Sequence, residues 1–202
     1  MKCVLPMLAF LVLALASCSH APEAKPKYFL LDPGKPVSLE ALQSITSPVS
    51  ASATSVHVSA PFATDGFVYH VSTSQWDVDA YNQFLVPPSD MLTSILRSWL
   101  RDAGFPAHPP ESKGKGDRSF VIDCRVTEFY GDFRNLGAPR AVLSMDVQIS
   151  MKTPQGPVTI QKSFTKSVAV SHRTPGALVD AWNEALRAEL MEILRVLGSE
   201  IH

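Results

Sequence analysis

From Phe120 onward, apolar and polar positions alternate with a period of two. Phe120, Ile122, Cys124 and Val126 share one face, and Asp123, Arg125 and Thr127 the other. Ala141, Leu143, Met145, Val147, Ile149 and Met151 repeat the pattern against Ser144, Asp146, Gln148 and Ser150. After a turn at Thr153-Pro154-Gln155-Gly156-Pro157, it continues through Val158, Ile160, Phe164, Val168 and Val170, interrupted by Lys162 and Lys166. A period of two predicts strands with one face on a core and one on water or a partner.

Shorter alternations precede these strands. Tyr28-Phe29-Leu30-Leu31 reads as a first strand, stopped by Asp32-Pro33-Gly34. Val56 and Val58 predict a second strand, ended by Pro61. Phe67, Tyr69 and Val71 alternate with Val68 and His70, a third strand; Trp76, Val78 and Ala80 alternate with Asp77, Asp79 and Tyr81, a fourth. The spacing suits a hairpin around Ser72–Ser74. Lys35–Thr54 is rich in Ser, Ala and Pro and predicts a connection, with a helical turn near Leu39–Ile45.

Twice the period lengthens to that of a helix. Met91, Leu92, Ile95, Leu96, Trp99 and Leu100 form one stripe, opened by Pro87-Pro88-Ser89-Asp90 and stopped by Gly104 and Pro106. Glu111–Arg118 then reads as a solvated loop. Leu178, Trp182, Leu186, Leu190, Ile193, Leu194 and Leu197 form a second stripe, capped at Thr174-Pro175 and ended at Gly198. The order is β-β-β-β-α-β-β-β-α. It predicts an α+β fold: a two-layer sandwich of a mainly antiparallel sheet and two amphipathic helices.

The N-terminus follows neither period. One cation, Lys2, precedes an unbroken apolar run from Val4 to Ala16. The run has signal-peptide length and falls short of the ~20 residues of a spanning helix. It ends in Leu15-Ala16-Ser17-Cys18, which resembles the lipobox of bacterial lipoproteins. That resemblance implies cleavage before Cys18 and lipidation of Cys18, and Ser19 after it favours sorting to the outer membrane. The expected organisation is a signal peptide at 1–17, a lipidated cysteine and tether at 18–27, and one domain at 28–202. The tether, at ~3.1 Å per residue, reaches roughly 28 Å.

Composition narrows the classes. The chain has 202 residues, with 18 Lys and Arg against 19 Asp and Glu, a net charge of −1. No cationic excess exists to neutralise phosphates, so nucleic acid is not an expected partner. Sixteen prolines argue against a long helical bundle. Of three cysteines, Cys3 leaves with the signal peptide and Cys18 takes lipid. Cys124 remains, on an apolar strand face, and is expected to be a buried, inert thiol.

There is no Gly-x-Ser-x-Gly elbow and no His-Glu-x-x-His. Lys113-Gly114-Lys115-Gly116-Asp117 lacks the Gly-Lys-Ser/Thr ending of a phosphate loop. Asp77 and Asp79 fall on the same side of a strand, and His57 and His70 lie on strands; solvated or hydrogen-bonded roles are expected for all four. No enzyme activity, metal or cofactor is expected. The aromatic set Phe67, Tyr69, Trp76, Tyr81 and Phe84 is the densest in the chain. It reads either as core or as a contact surface, in which case Tyr69, Trp76, Tyr81 and Phe84 are the partner-contact candidates.

These features come in a recognisable order. A lipobox and tether lead into Tyr28-Phe29-Leu30-Leu31; Val68-Tyr69 precedes Tyr81-Asn82-Gln83-Phe84; Pro87-Pro88 opens the helix Met91–Leu100. The chain resembles the auxiliary lipoproteins of ABC-type transport systems, the PqiC-like family. That family has a Tyr-Tyr-Leu-Leu-like start and an aromatic segment before a proline and helix. The chain departs at Gln83-Phe84, where the family pattern has Arg-Trp.

The resemblance implies a lipid-anchored protein on the periplasmic face of the outer membrane. Its implied role is that of auxiliary component to an MCE-type ABC transport system moving lipid between the two membranes. The implied partners are the membrane and an MCE-domain protein; exposed strand edges add a second copy of the chain as a candidate partner. Two other readings stay open. One is an outer-membrane assembly lipoprotein supporting a β-barrel or lipopolysaccharide export, which a basic face would favour. The other is a lipid-anchored enzyme using Asp77, Asp79 or a histidine.

Overall fold

The computed structural model describes residues 25–37, 49–105, 118–153 and 156–200. The strands are β1 (Lys27–Phe29), β2 (Val49–Val58), β3 (Gly66–His70), β4 (Trp76–Phe84), β5 (Arg118–Asp132), β6 (Arg140–Thr153) and β7 (Gly156–Ala169). The helices are α1 (Pro88–Asp102), between β4 and β5, and α2 (Pro175–Glu200), after β7. The α+β class and the predicted element order are borne out. The helical turn expected near Leu39–Ile45 and the Lys113–Asp117 loop lie outside the described residues.

All seven strands form one sheet, in the order β1-β4-β3-β5-β6-β7, with β2 also on β5. The long strand β5 organises it. One edge of β5 pairs with β6 in antiparallel fashion from Phe120↔Met151 to Asp132↔Arg140. The other edge takes β2 in parallel along Arg118–Val126, then β3 in parallel at Gly131 and Asp132. β1 also joins β4 in parallel. The sheet is therefore mixed: β3–β4 and β5–β6–β7 are antiparallel, as expected, while β1 and β2 enter in parallel. Alternation marks a strand but not its direction.

Two strands outrun their sequence signal. β2 begins at Val49, inside the expected connection. β5 continues past Thr127 because a bulge between Val126 and Glu128 shifts its register by one residue. Beyond it the core-facing residue is Phe129, and Glu128 and Tyr130 face away, so the even-numbered pattern breaks while the strand does not.

Both helices cover one face. The α2 stripe from Leu178 to Leu197 is buried as predicted. Thr174 accepts the Ala177 amide at 3.3 Å, capping α2. The helix runs through Gly198 to Glu200 rather than ending at Gly198, because the buried Leu197 keeps its last turn packed. Helix α1 starts with Pro88 in its first turn and ends before Gly104, whose φ of 95° only glycine adopts without strain. It lies over β2: the Thr93 hydroxyl accepts the Val56 amide, and Arg97 donates to the Thr54 carbonyl. The core between the layers centres on Phe67, Phe84, Phe129 and Trp182, with ring centroids 4.7–5.7 Å apart. At Gly131 an added Cβ would sit 2.7 Å from the Phe133 ring and 3.1 Å from Leu178, so α2 packs directly on the glycine and a larger residue would displace both side chains.

Candidate functional site

The two segments that carry the family resemblance are neighbouring strands. Lys27 pairs with Asn82, Tyr28 with Gln83 and Phe29 with Phe84. Phe29, Phe67 and Phe84 turn toward the helices. The residues that alternate with them turn away, onto the face opposite α2.

β4 does not pair straight through. Gly66 opposes Gln83, yet Val68 opposes Val78, so β4 carries extra residues in a wide bulge. Asp79 builds that bulge. One carboxylate oxygen accepts the amides of Tyr81 and Asn82 at 2.8 and 2.9 Å; the other accepts Asn82 Nδ2 at 2.7 Å and the Tyr69 hydroxyl at 2.8 Å. Partial burial raises the Asp79 pKa, but these hydrogen bonds outweigh it and hold the carboxyl below its ordinary value. The Tyr69 hydroxyl is pushed the other way, by burial and by Asp79. Asp79 is thus a fixed acceptor, and Asp77, bonded to Gln75, takes no part in the network. Gly66 lets the bulge close, since an added Cβ would stand 2.5 Å from the Asp79 carbonyl oxygen.

The bulge and the alternation divide the four aromatic contact candidates. Tyr69 is half-buried on the helix side, its ring edge-on to Phe133 at 5.4 Å. It lines an apolar recess of about 370 Å³ with Phe133, Leu136, Arg173, Pro175 and Leu178. Phe84 belongs to the core, 4% exposed and stacked on Phe129 at 5.3 Å; its place opposite Phe29 turns it inward and leaves it no surface to offer a partner. Trp76 and Tyr81 are exposed. Trp76 lies on the face away from the helices, its indole stacked on His70 at 3.9 Å with the planes 5° apart. Cys18 lies outside the described residues.

The outward face holds more than the sequence singled out. Tyr28, Leu30, Val78 and Leu85 are 50–58% exposed. With Trp76 and Tyr81 they fill the outward positions of β1, β4 and the residues just after them. Gln83 is the polar member, and no Asp, Glu, Lys or Arg occupies these positions. The available signal was the alternation itself: 28 and 30, 76 and 78, 83 and 85. Under Trp76, the short 3-10 turn Ala60–Phe62 closes a small cluster. Phe62 stacks on Tyr130 at 5.8 Å and meets Trp76 edge-on at 5.9 Å. His70 is buried there, and neither ring nitrogen has a hydrogen-bond partner among the described residues, contrary to the hydrogen-bonded or solvated role expected for it.

The same face over β5, β6 and β7 is polar. His57, Asp123, Arg125, Asp146, Gln148 and Ser163 line an open depression of about 470 Å³. Ser163 donates to Asp146 at 2.6 Å, Gln161 to Gln148 at 3.1 Å, and Ser55 to Asp123. Lys162 and Lys166 are not on this side; they pair with Val147 and Leu143, on the helix side of the sheet. Across from Lys166, Glu189 of α2 is fully buried; its carboxyl lies near the Lys166 backbone amide but makes no hydrogen bond of full geometry among the described residues. Burial raises its pKa to about 9, while Lys166 offsets part of the rise. Cys124, on the core face of β5, is buried as expected. Burial, then the charges of Asp123 and Glu189, push its thiol up to about 12, which keeps it unreactive.

No helix among the described residues is long and apolar enough to cross a membrane, and no group of three or more His, Cys, Asp or Glu is placed to hold a metal ion. No family model matches the chain. No curated protein matches it either. Solved structures do. Protein XCC0632 from Xanthomonas campestris, of the DUF330 family, superposes with a TM-score of 0.62 at 16% identity, over 87% of this chain and 95% of that one. A second structure, of an uncharacterized protein, superposes at 0.60 and 16% identity, over 86% and 99%. At such identities the likeness establishes a shared fold, over 87% and 86% of this chain.

Proposed function

We propose that this chain is an outer-membrane lipoprotein facing the periplasm, an auxiliary component of an MCE-type ABC transport system that moves lipid between the inner and outer membranes. The observation that carries the reading is the pairing of Tyr28-Phe29 with Gln83-Phe84. Segments some fifty residues apart, identified by their order in the sequence, become adjacent strands with an exposed aromatic face. Two short motifs that pair as adjacent strands are what a shared construction of this kind would produce. The fold likeness to a DUF330 protein is consistent with the same family. The lipobox at Cys18 supports anchoring, at ~0.8 kcal/mol per buried methylene of each acyl chain.

In this reading the chain performs no chemistry. It holds the outer end of a conduit in place, with an MCE-domain protein as partner and a second copy of the chain as a further one. The test is co-purification from native membranes in mild detergent, with Cys18→Ala as the control. An MCE-domain protein and an ABC ATPase are expected with the wild type and depleted with the variant. A β-barrel partner in their place would overturn the transport reading in favour of envelope assembly.

A further inference from the structure

We propose that the outward face of β1 and β4 lies against a phospholipid surface, so that the domain rests on the membrane beside its own anchor. The inference builds on the lipid anchor at Cys18 in the proposed function. It adds an orientation: which face of the domain meets the bilayer.

Three observations carry it. The first is composition. Tyr28, Leu30, Trp76, Val78, Tyr81 and Leu85 are 44–58% exposed, and no carboxylate, ammonium or guanidinium interrupts them. Tyrosine and tryptophan beside aliphatic residues is the set that settles at headgroup depth, rings among the upper acyl carbons and polar atoms toward water. The second is position. The chain enters the described structure at Lys25, and Tyr28 is the first outward residue of β1. The segment from Cys18 to this strand reaches ~28 Å when extended, so the face and the acyl chains share one patch of membrane. The third is charge. Lys25 and Lys27 are exposed at the point of entry, and because β1 is the edge strand their long side chains reach round the rim of the face, where anionic headgroups attract ammonium groups.

A face of this size is a weak membrane binder alone. The anchor changes that, because tethering makes the second contact intramolecular and raises its effective concentration. The contact therefore sets how the domain sits rather than whether it is held. With the β1–β4 half down, the polar face over β5–β7 is left for water or for protein.

The protein carries its own reporter. Of its three tryptophans, Trp99 and Trp182 are 3% and 1% exposed, and Trp76 is 44% exposed. The lipidated full-length mature protein would be reconstituted into vesicles of phosphatidylethanolamine and phosphatidylglycerol with brominated acyl chains, and tryptophan emission read against unbrominated vesicles. The expected result is loss of the Trp76 emission, strongest with bromine high on the chain. Trp76→Phe should abolish the quenching. Tyr81→Glu with Leu85→Glu should also abolish it while the protein still floats with the vesicles, and Leu136→Glu, an exposed apolar site elsewhere, should leave it unchanged. Circular dichroism of each variant checks folding.

Unquenched emission from protein that floats would overturn the inference and leave the anchor reading intact. Protein that fails to float would overturn both. Unquenched Trp76 together with cross-links between copies through this face would overturn it in favour of a second copy as the occupant.

Discussion

The two halves of the sheet misplace opposite kinds of residue. At the β1–β4 end, tyrosines, a tryptophan and aliphatic residues stand on the water side. At the β5–β7 end the water side is ordinary, mostly serine, threonine, glutamine and charge, but a glutamate, Glu189, stands on the core side. A surface apolar set costs little in stability and serves contact. A buried carboxyl costs much more, because its charge must be suppressed for the fold to keep it. The first departure is therefore legible as a surface for something else. The second is an internal cost borne by the long-stranded half.

The largest effect expected from breaking this contrast is at Phe62. Phe62→Ala should cost about 3 kcal/mol, since it opens the cluster that seats Tyr130 and Trp76 on the outward side. Urea denaturation would read it, and an effect near zero would mean that the 3-10 turn does not cover this face. Glu189→Gln should act in the other direction, stabilising by roughly 2 kcal/mol at pH 7. The sign follows from linkage. The native pKa, about 9, lies above the ordinary 4.5, so the group's contribution is full below 4.5 and is lost as pH rises toward 9. Wild-type thermal stability should fall across that range, and the variant's should be flatter.

Asp79→Ala comes next, at about 1–2 kcal/mol, through the amides of Tyr81 and Asn82 and the Tyr69 hydroxyl it leaves unmatched. The Asp79 pKa is depressed, so its contribution is present above the unfolded value and lost as pH falls through the native one. The urea midpoints of wild type and variant should therefore converge as pH drops below about 4. The smallest effect should be Gln148→Ala on the polar half, within about 0.5 kcal/mol, because its partner Gln161 is exposed and water replaces the bond.

Much of the fold was readable from periodicity. The stripe from Leu178 to Leu197 and the alternation from Ala141 to Met151 each have one solution, because a slip would bury serine and aspartate and expose leucine. What failed to read were the places where the period is interrupted without the element ending. The β5 bulge after Val126 and the Asp79 bulge in β4 each reverse which residues face the core, and no local composition marks them. Trp76 and Val78 alternate as a core face would, yet face out. The parallel entry of β1 and β2 was invisible for a different reason: direction depends on the connections. Glu189 sat unseen because it falls within a stripe otherwise filled by leucine, isoleucine and tryptophan. Of the contact candidates, Trp76 and Tyr81 are exposed, while Phe84 was spent on the core.

One small feature of the fold bears on when the molecule becomes whole. The segment leaving β1 is held by the last helix: the Asp32 amide donates to Asn183, and Arg187 donates to the Pro33 carbonyl at 2.6 Å, across 151 and 154 residues of chain. Contacts that span so much sequence form late. The end of the domain nearest the anchor thus gains its second hold only once the far end of the polypeptide has arrived, and a chain truncated before α2 would keep β1 on β4 but lose this fastening.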